Sequence, residues 1–370
     1  MSKIFFSSAG AMTFFVCISV YLFGDMSIYS AVVSSTMRDV ICDKNETRNS
    51  TINSTVLLGL PCWGDSDLTR FQVYRICQVI FTICMAPWVF FNLSKTKHLQ
   101  FVTLSFRVLA FSIMISIAIY RIVYPEDPSN RPDPIKYNFS TVPFLIGSLI
   151  YAFMSQHSLP SILVPIHEKH KVFRIVTIDY FLITLLYLVL ALTGIFFFFL
   201  LEALYTINFI PSDGSQQAFF FKFIEYFLGL FPVLTLTTTF PIVGVTLRNN
   251  LQTLFIEKNQ IHTYNFFVRR MLFPIMVVIP PFFITFNTED VSSLVSFTGC
   301  FAGNFIQYGF PIALVYFARK TCKNVLGDGI KNDYRSPFQS DFWIFLLLAW
   351  SCLSLILVSI QMFPGLFKVE

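Results

Sequence analysis

The segment Ser155-Gln156-His157-Ser158-Leu159-Pro160 sets an imidazole, an amide and two hydroxyls beside a proline, inside an otherwise apolar stretch. Pro160 removes one helical hydrogen bond and crowds the carbonyl four residues back, that of Gln156. A helix broken in this way frees backbone groups that can hold a small polar solute or an ion. Gln156, His157, Ser158 and Pro160 are therefore the candidate substrate-binding set. The same residues also fit a simple proline kink whose freed carbonyl is satisfied by a Ser or Gln side chain. A second cluster, Thr235-Leu236-Thr237-Thr238-Thr239-Phe240-Pro241, sets four hydroxyls just before another proline. Thr235, Thr238 and Thr239 are candidate hard-oxygen donors for a Na⁺-like ion. The competing use of such threonines is a bond back to the carbonyls of their own helix.

These groups must be positioned by membrane helices. The chain has 370 residues, of which 55% are hydrophobic, 18% aromatic and 13% charged, with 46 phenylalanines. A soluble domain carries about 25% charged residues. The composition excludes a soluble globular enzyme, a disordered chain and a collagen-like fibre, and it lacks the alternation of a β-barrel. It predicts a single all-α, multi-pass membrane domain over residues 1–370, with the lipid bilayer as its main partner. Nine apolar stretches are long enough to cross: Met12–Ser34, Phe71–Leu93, Phe101–Tyr124, Thr141–Pro165, Val176–Leu200, Phe219–Thr246, Met271–Phe286, Ser292–Phe317 and Phe342–Phe363. The net charge of +5 comes with no basic tract or aromatic-interleaved basic patch, so no nucleic-acid partner is expected.

Charge and sequons give the sidedness. With the N-terminus in the cytoplasm, fifteen basic residues fall in cytoplasmic segments and eight on the opposite side. That asymmetry follows the positive-inside rule, and an odd number of spans puts the C-terminus outside or in a lumen. The first outer loop, 35–70, carries N-x-[ST] sequons at Asn45, Asn49 and Asn53, and Asn138 heads another between spans three and four. The match at Asn92 falls on the cytoplasmic side and is expected to stay unmodified. Cys42 and Cys62 flank the sequon cluster. On an oxidising side they are expected to close a loop of about 20 residues, contributing roughly 3 kcal/mol.

Other motifs carry less. Gly299 and Gly303 form a G-x-x-x-G face suited to close helix packing, extended by Asn304 and Gln307. Lys222 and Glu225 are expected to form an interfacial pair. His167-Glu168-Lys169-His170 has one residue fewer than the H-E-x-x-H zinc-protease pattern. There is no P-loop, no G-x-S-x-G and no C-x-x-C, and no metal site is expected.

Several stretches resemble the transmembrane protein 104 group. They are Val20 to Tyr29 (Val-Tyr-Leu-Phe-Gly-Asp-Met-Ser-Ile-Tyr), Phe153 to Ser161, Leu228-Gly229-Leu230-Phe231-Pro232-Val233, Thr239-Phe240-Pro241-Ile242, Val245 to Asn250, and Ser336-Pro337-Phe338. That group is similar to the amino acid/auxin permeases of the amino acid–polyamine–organocation superfamily. The resemblance implies the inverted-repeat fold of LeuT-like transporters, with the nine spans standing for family helices three to eleven and the first two helices not represented. It implies transport of amino acids or similar small solutes by alternating access, with Na⁺ or H⁺ as coupling ion, in the plasma or an endolysosomal membrane. The broken sixth family helix then corresponds to span four and the eighth to span six. A non-transporting membrane glycoprotein, acting as sensor, regulator or assembly partner, is the alternative class.

Overall fold

A computed structural model describes residues 5–42, 59–63, 67–91, 97–124, 139, 142–159, 163–164, 166–197, 204–209, 219–256, 267–327 and 338–362. Among the described residues the chain is helical, with one isolated bridge between Pro61 and Thr69. The helices are α1 (Ser8–Ile41), α2 (Arg70–Phe90), α3 (Lys97–Val123), α4 (Val142–Ala152), α5 (Val172–Phe197), α6 (Phe219–Phe255), α7 (Phe273–Asn287), α8 (Val291–Thr298), α9 (Phe310–Leu326) and α10 (Asp341–Met362). Two π-helical turns, Gly299–Gly303 and Phe305–Gly309, join α8 to α9 in one span-length rod.

Local chemistry sets several of these boundaries. The Ser7 hydroxyl accepts from the Gly10 amide and starts α1. Thr69 and Gln72 form a reciprocal capping box that starts α2. α1 therefore runs further at both ends than its apolar stretch, and the loop after it is shorter than residues 35–70. α6 continues through Pro232 and Pro241.

Eight helices among the described residues are long and apolar enough to cross a membrane. Span four differs from its expected form. α4 has only 11 residues, about 16 Å of rise, and stops at Ala152, well before Pro160. The chain instead bends at Phe153–Ser155. The Ser155 carbonyl then accepts from the Ser158 amide at 3.1 Å, the Leu159 amide at 2.9 Å and the Ser158 hydroxyl at 3.0 Å. Local serine bonding thus closes a separate turn that competes with continuing the helix. Pro160 lies outside the described residues.

α1 is the hub. Half of its most apolar window is buried, against none for α5. It packs on α2, α6, α7 and α8, and small side chains such as Ser27, Ser30, Ala31 and Ser34 line its buried surface, which lets neighbouring helices come close. Phe101, Phe181 and Phe345 remain largely exposed. Large aromatic groups bare on a helix bundle are the lipid-facing surface of a membrane protein.

Charged contacts sort the helix ends into two sets. Arg38 at the end of α1 pairs with Glu289 between α7 and α8, and Arg70 of α2 reaches Asp39 at 3.2 Å. Arg121 of α3 meets Glu225 of α6 at 3.7 Å, so Glu225 pairs across helices. At the opposite ends, Arg248 of α6 donates to the carbonyls of Val89 (2.9 Å) and Phe90 (3.1 Å) in α2. Arg319 of α9 donates to Phe338 and Gln339 before α10. Each contact joins ends that nine alternating crossings place on one side.

Candidate functional site

The hub helix carries an acid in its apolar interior. Asp25 is 4% exposed, and its Oδ1 has no hydrogen-bond partner among the described residues. Tyr21 and Tyr29 lie one turn before and after it, so i,i+4 spacing puts all three on one face of α1. Tyr151 packs against the buried cluster that holds Tyr21 and Met26, the neighbours of Asp25 on α1. Tyr151 belongs to the last turn of α4. His157, in the turn that follows, sets its ring 5.4 Å from that of Tyr21. The Tyr21 and Tyr151 rings are 6.2 Å apart. The break in α4 and the acid in α1 therefore form one polar cluster.

Small residues bring the elements this close. A Cβ on Gly24 would fall 2.3 Å from the Thr298 methyl, and one on Gly299 would fall 2.2 Å from the Gly147 carbonyl oxygen. α8 thus seats directly against both α1 and α4. Four hydrogen bonds hold it and the π-helical turns that continue it. The Ser296 hydroxyl donates to the Phe144 carbonyl at 2.7 Å, and the Gln307 amide reaches the Phe153 carbonyl at 3.5 Å. The Asn304 amide donates to the Ser351 carbonyl of α10 at 3.2 Å, and the Ser351 hydroxyl returns a bond to Asn304. The G-x-x-x-G face and Asn304 serve packing, as their spacing predicts.

The structure places the expected site residues unevenly. His157 stands exposed against Tyr21, and Gln156 is half-buried beside it. Ser158 is used in the local turn, while Ser155 bonds the Tyr180 hydroxyl of α5. The threonines of α6 bond back to their own helix. Thr235 donates to Phe231 at 3.1 Å, and Thr238 and Thr239 both donate to the Thr235 carbonyl at 2.8 Å. Thr238 also meets the Thr103 hydroxyl of α3 at 3.2 Å. Cys42 and Cys62 are joined by a disulfide, with Cα atoms 4.7 Å apart. Asn45, Asn49, Asn53, Asn92 and Asn138 lie outside the described residues. Among the described residues no cluster of His, Cys, Asp or Glu has the makings of a metal site.

Asp25 is the residue that motif reading passes over. Nothing marks it except its isolation, as the single acid in an apolar run from Phe14 to Met37. An ionisable group at membrane depth is a functional candidate by default, and the tyrosines one turn to either side reinforce that signal. The carboxylate, phenols and imidazole can exchange protons or bind a polar solute, and none of them is arranged as a nucleophile with its base.

A family model described as "Transmembrane amino acid transporter protein" matches residues 1–360. The chain is 43% identical over 374 residues to a transmembrane protein 104 homolog of Drosophila melanogaster, covering 98% of this chain and 72% of that one. It is 39% identical to transmembrane protein 104 of Homo sapiens, covering 95% of this chain and 69% of that one. A Dictyostelium discoideum homolog is 31% identical over 97% of this chain and 69% of its own.

Proposed function

The chain belongs to the transmembrane amino acid transporter family, and from that membership we propose that it moves amino acids or similar small solutes by alternating access. The observation that carries the reading is the broken α4 lying against a buried acid on the hub helix. Irregular backbone at membrane depth is tolerated where it lines a cavity or is covered by protein. Transporters use such breaks to build a site near the bilayer midplane.

In this reading Gln156, His157, Ser158 and Pro160 are the solute-binding set, with Ser158 also closing the local turn. The exposed imidazole is the group a solute meets first. Thr235, Thr238 and Thr239 are the weaker part of the proposal, since their hydroxyls already have partners. An ion at that position would have to draw on the threonine oxygens' remaining lone pairs. An ion gradient of Na⁺ or H⁺ drives the cycle. The N-terminus is cytoplasmic, and the loop held by the Cys42–Cys62 disulfide, with Asn45, Asn49 and Asn53 glycosylated, faces the outside or a lumen. Asn138 is a further acceptor on that side.

The test is uptake of radiolabelled amino acids into proteoliposomes containing the full chain. Uptake by the wild type, lost in His157→Ala, is the expected result. A well-folded wild type that carries no amino acid under either a sodium or a proton gradient refutes the transport reading and favours a sensor or assembly partner.

A further inference from the structure

We propose that Asp25 is the group that takes up and releases the coupling proton, beside the aromatic cluster of Tyr21, Tyr151 and His157. This rests on the transport reading for its consequence, though the titration itself is measured without it. A carboxylate out of water needs a cation, a full set of donors or a proton. Among the described residues Asp25 has no ion-pair partner, and Oδ1 has no donor.

The groups that bear on it come from three directions. Tyr21 and Tyr29 share its helix, the Tyr151 ring of α4 stands 6.2 Å from that of Tyr21, and His157 contacts Tyr21 from the turn beyond. Arg107 of α3 acts on Tyr29. From α8 the nearest neighbour is the uncharged Thr298 beside Gly24. No ion pair links Asp25 to α2, α6 or α7 among the described residues.

A proton suits this place better than a larger ion. Among the described residues no group of His, Cys, Asp or Glu side chains joins Asp25 in a cation's ligand set, whereas a proton needs only one carboxylate oxygen. Phenols donate to a carboxylate and can also accept from a carboxylic acid, which matches an acid that alternates between two states. In the step itself, hydronium from one aqueous phase gives its proton to Oδ1. An O–H bond forms and the carboxylate becomes a neutral acid. After the bundle rocks, that O–H bond breaks and the proton returns to water on the other side. Nothing is oxidised or reduced. Tyr151 stands in the last turn of α4 against Tyr21, one turn from Asp25, so the charge on Asp25 lies close to the last turn before the break. That provides a physical link between proton binding and the solute-facing residues.

Two measurements test this on the full chain. The first is pH-difference infrared spectroscopy of the protein in lipid nanodiscs. A carboxylic-acid C=O band is expected in the wild type and absent in Asp25→Asn, with its midpoint moved in Tyr151→Phe. The second is accumulation of a mixture of radiolabelled amino acids in proteoliposomes. Across a gradient of one pH unit, one proton per solute supports about tenfold accumulation. Asp25→Asn is expected to equilibrate the solute without concentrating it. An acid band unchanged in Asp25→Asn, or accumulation by that variant equal to the wild type, overturns the assignment. So does accumulation driven by sodium alone. If the wild type moves no amino acid, the transport reading falls, and the infrared band still decides whether Asp25 titrates.

Discussion

Gly299→Ala probes the contact on which the site's geometry depends. Its Cβ would lie 2.2 Å from the Gly147 carbonyl oxygen and 2.8 Å from the Tyr151 Cβ. Ordinary contact begins near 3.4 Å, so α8 must retreat from α4 by about 1.2 Å. Neither obstacle is the tip of a flexible side chain, so the shift must be taken by whole helices. Overpacking of this kind costs about 1–3 kcal/mol. Replacing a helical glycine by alanine returns roughly 0.5–1 kcal/mol of backbone entropy, leaving a net loss of up to about 2.5 kcal/mol. Gly309→Ala is the matched control. Its Cβ would meet only the Phe305 side chain of its own helix, at 3.2 Å from a ring carbon that can rotate away. Thermal unfolding in detergent micelles is the assay. Gly299→Ala is expected to lower the midpoint by several degrees, and Gly309→Ala to leave it level or raise it. Solute uptake should fall in Gly299→Ala as well, because the same shift moves Tyr151 away from Tyr21. Equal midpoints for the two variants would refute the close approach of α8 to α4, and with it the assembly of the site described above.

Two further predictions concern the end of the bundle that holds the disulfide. Cys42→Ser opens a covalent loop with a sequence separation of 20, and the chain-entropy account gives a loss of about 3 kcal/mol. It should appear as a lower unfolding midpoint that matches the wild type under reducing conditions. Glu289, between α7 and α8, is governed first by burial, which raises its carboxyl above the ordinary range, while Arg38 opposes that shift. A raised carboxyl contributes stability in full below its unfolded value and loses it as pH rises through the folded value. Stability should therefore decline just above the ordinary carboxylate range in the wild type and not in Glu289→Gln. A midpoint that rises over that interval would show that the Arg38 pair outweighs burial.

Much of the fold was legible in the residues. Hydropathy alone gave the membrane class and nearly all the spans, because a helix that meets lipid must be apolar over its whole length, wherever its neighbours lie. The Gly299–Gly303 face announced close packing, since small side chains in a membrane helix have few other uses. Span four differs from its expected form in its interior. Pro160 is visible in sequence and pointed to a break at itself, whereas the helix ends at Ala152, where the Ser155–Ser158 turn competes for the backbone. Serine hydroxyls compete locally on a scale of about 1 kcal/mol, and packing around them decides the outcome. The α6 threonines were equally ambiguous, and their helix absorbed them.

By itself, then, the sequence determined what depends on composition and near neighbours: the bilayer as solvent, the helical rods, the cysteines flanking a polar loop and the polar residues around a proline. Tertiary structure alone decided which of those residues meet. Asp25 and Tyr151 are separated by more than a hundred residues, and no periodicity connects them. They come together because Gly147 and Gly299 let α4 and the rod begun by α8 approach to backbone contact, while Gly24 seats α1 on the Thr298 side chain. An isolated acid in an apolar helix became the centre of a cluster only once the surfaces that desolvate it were in place.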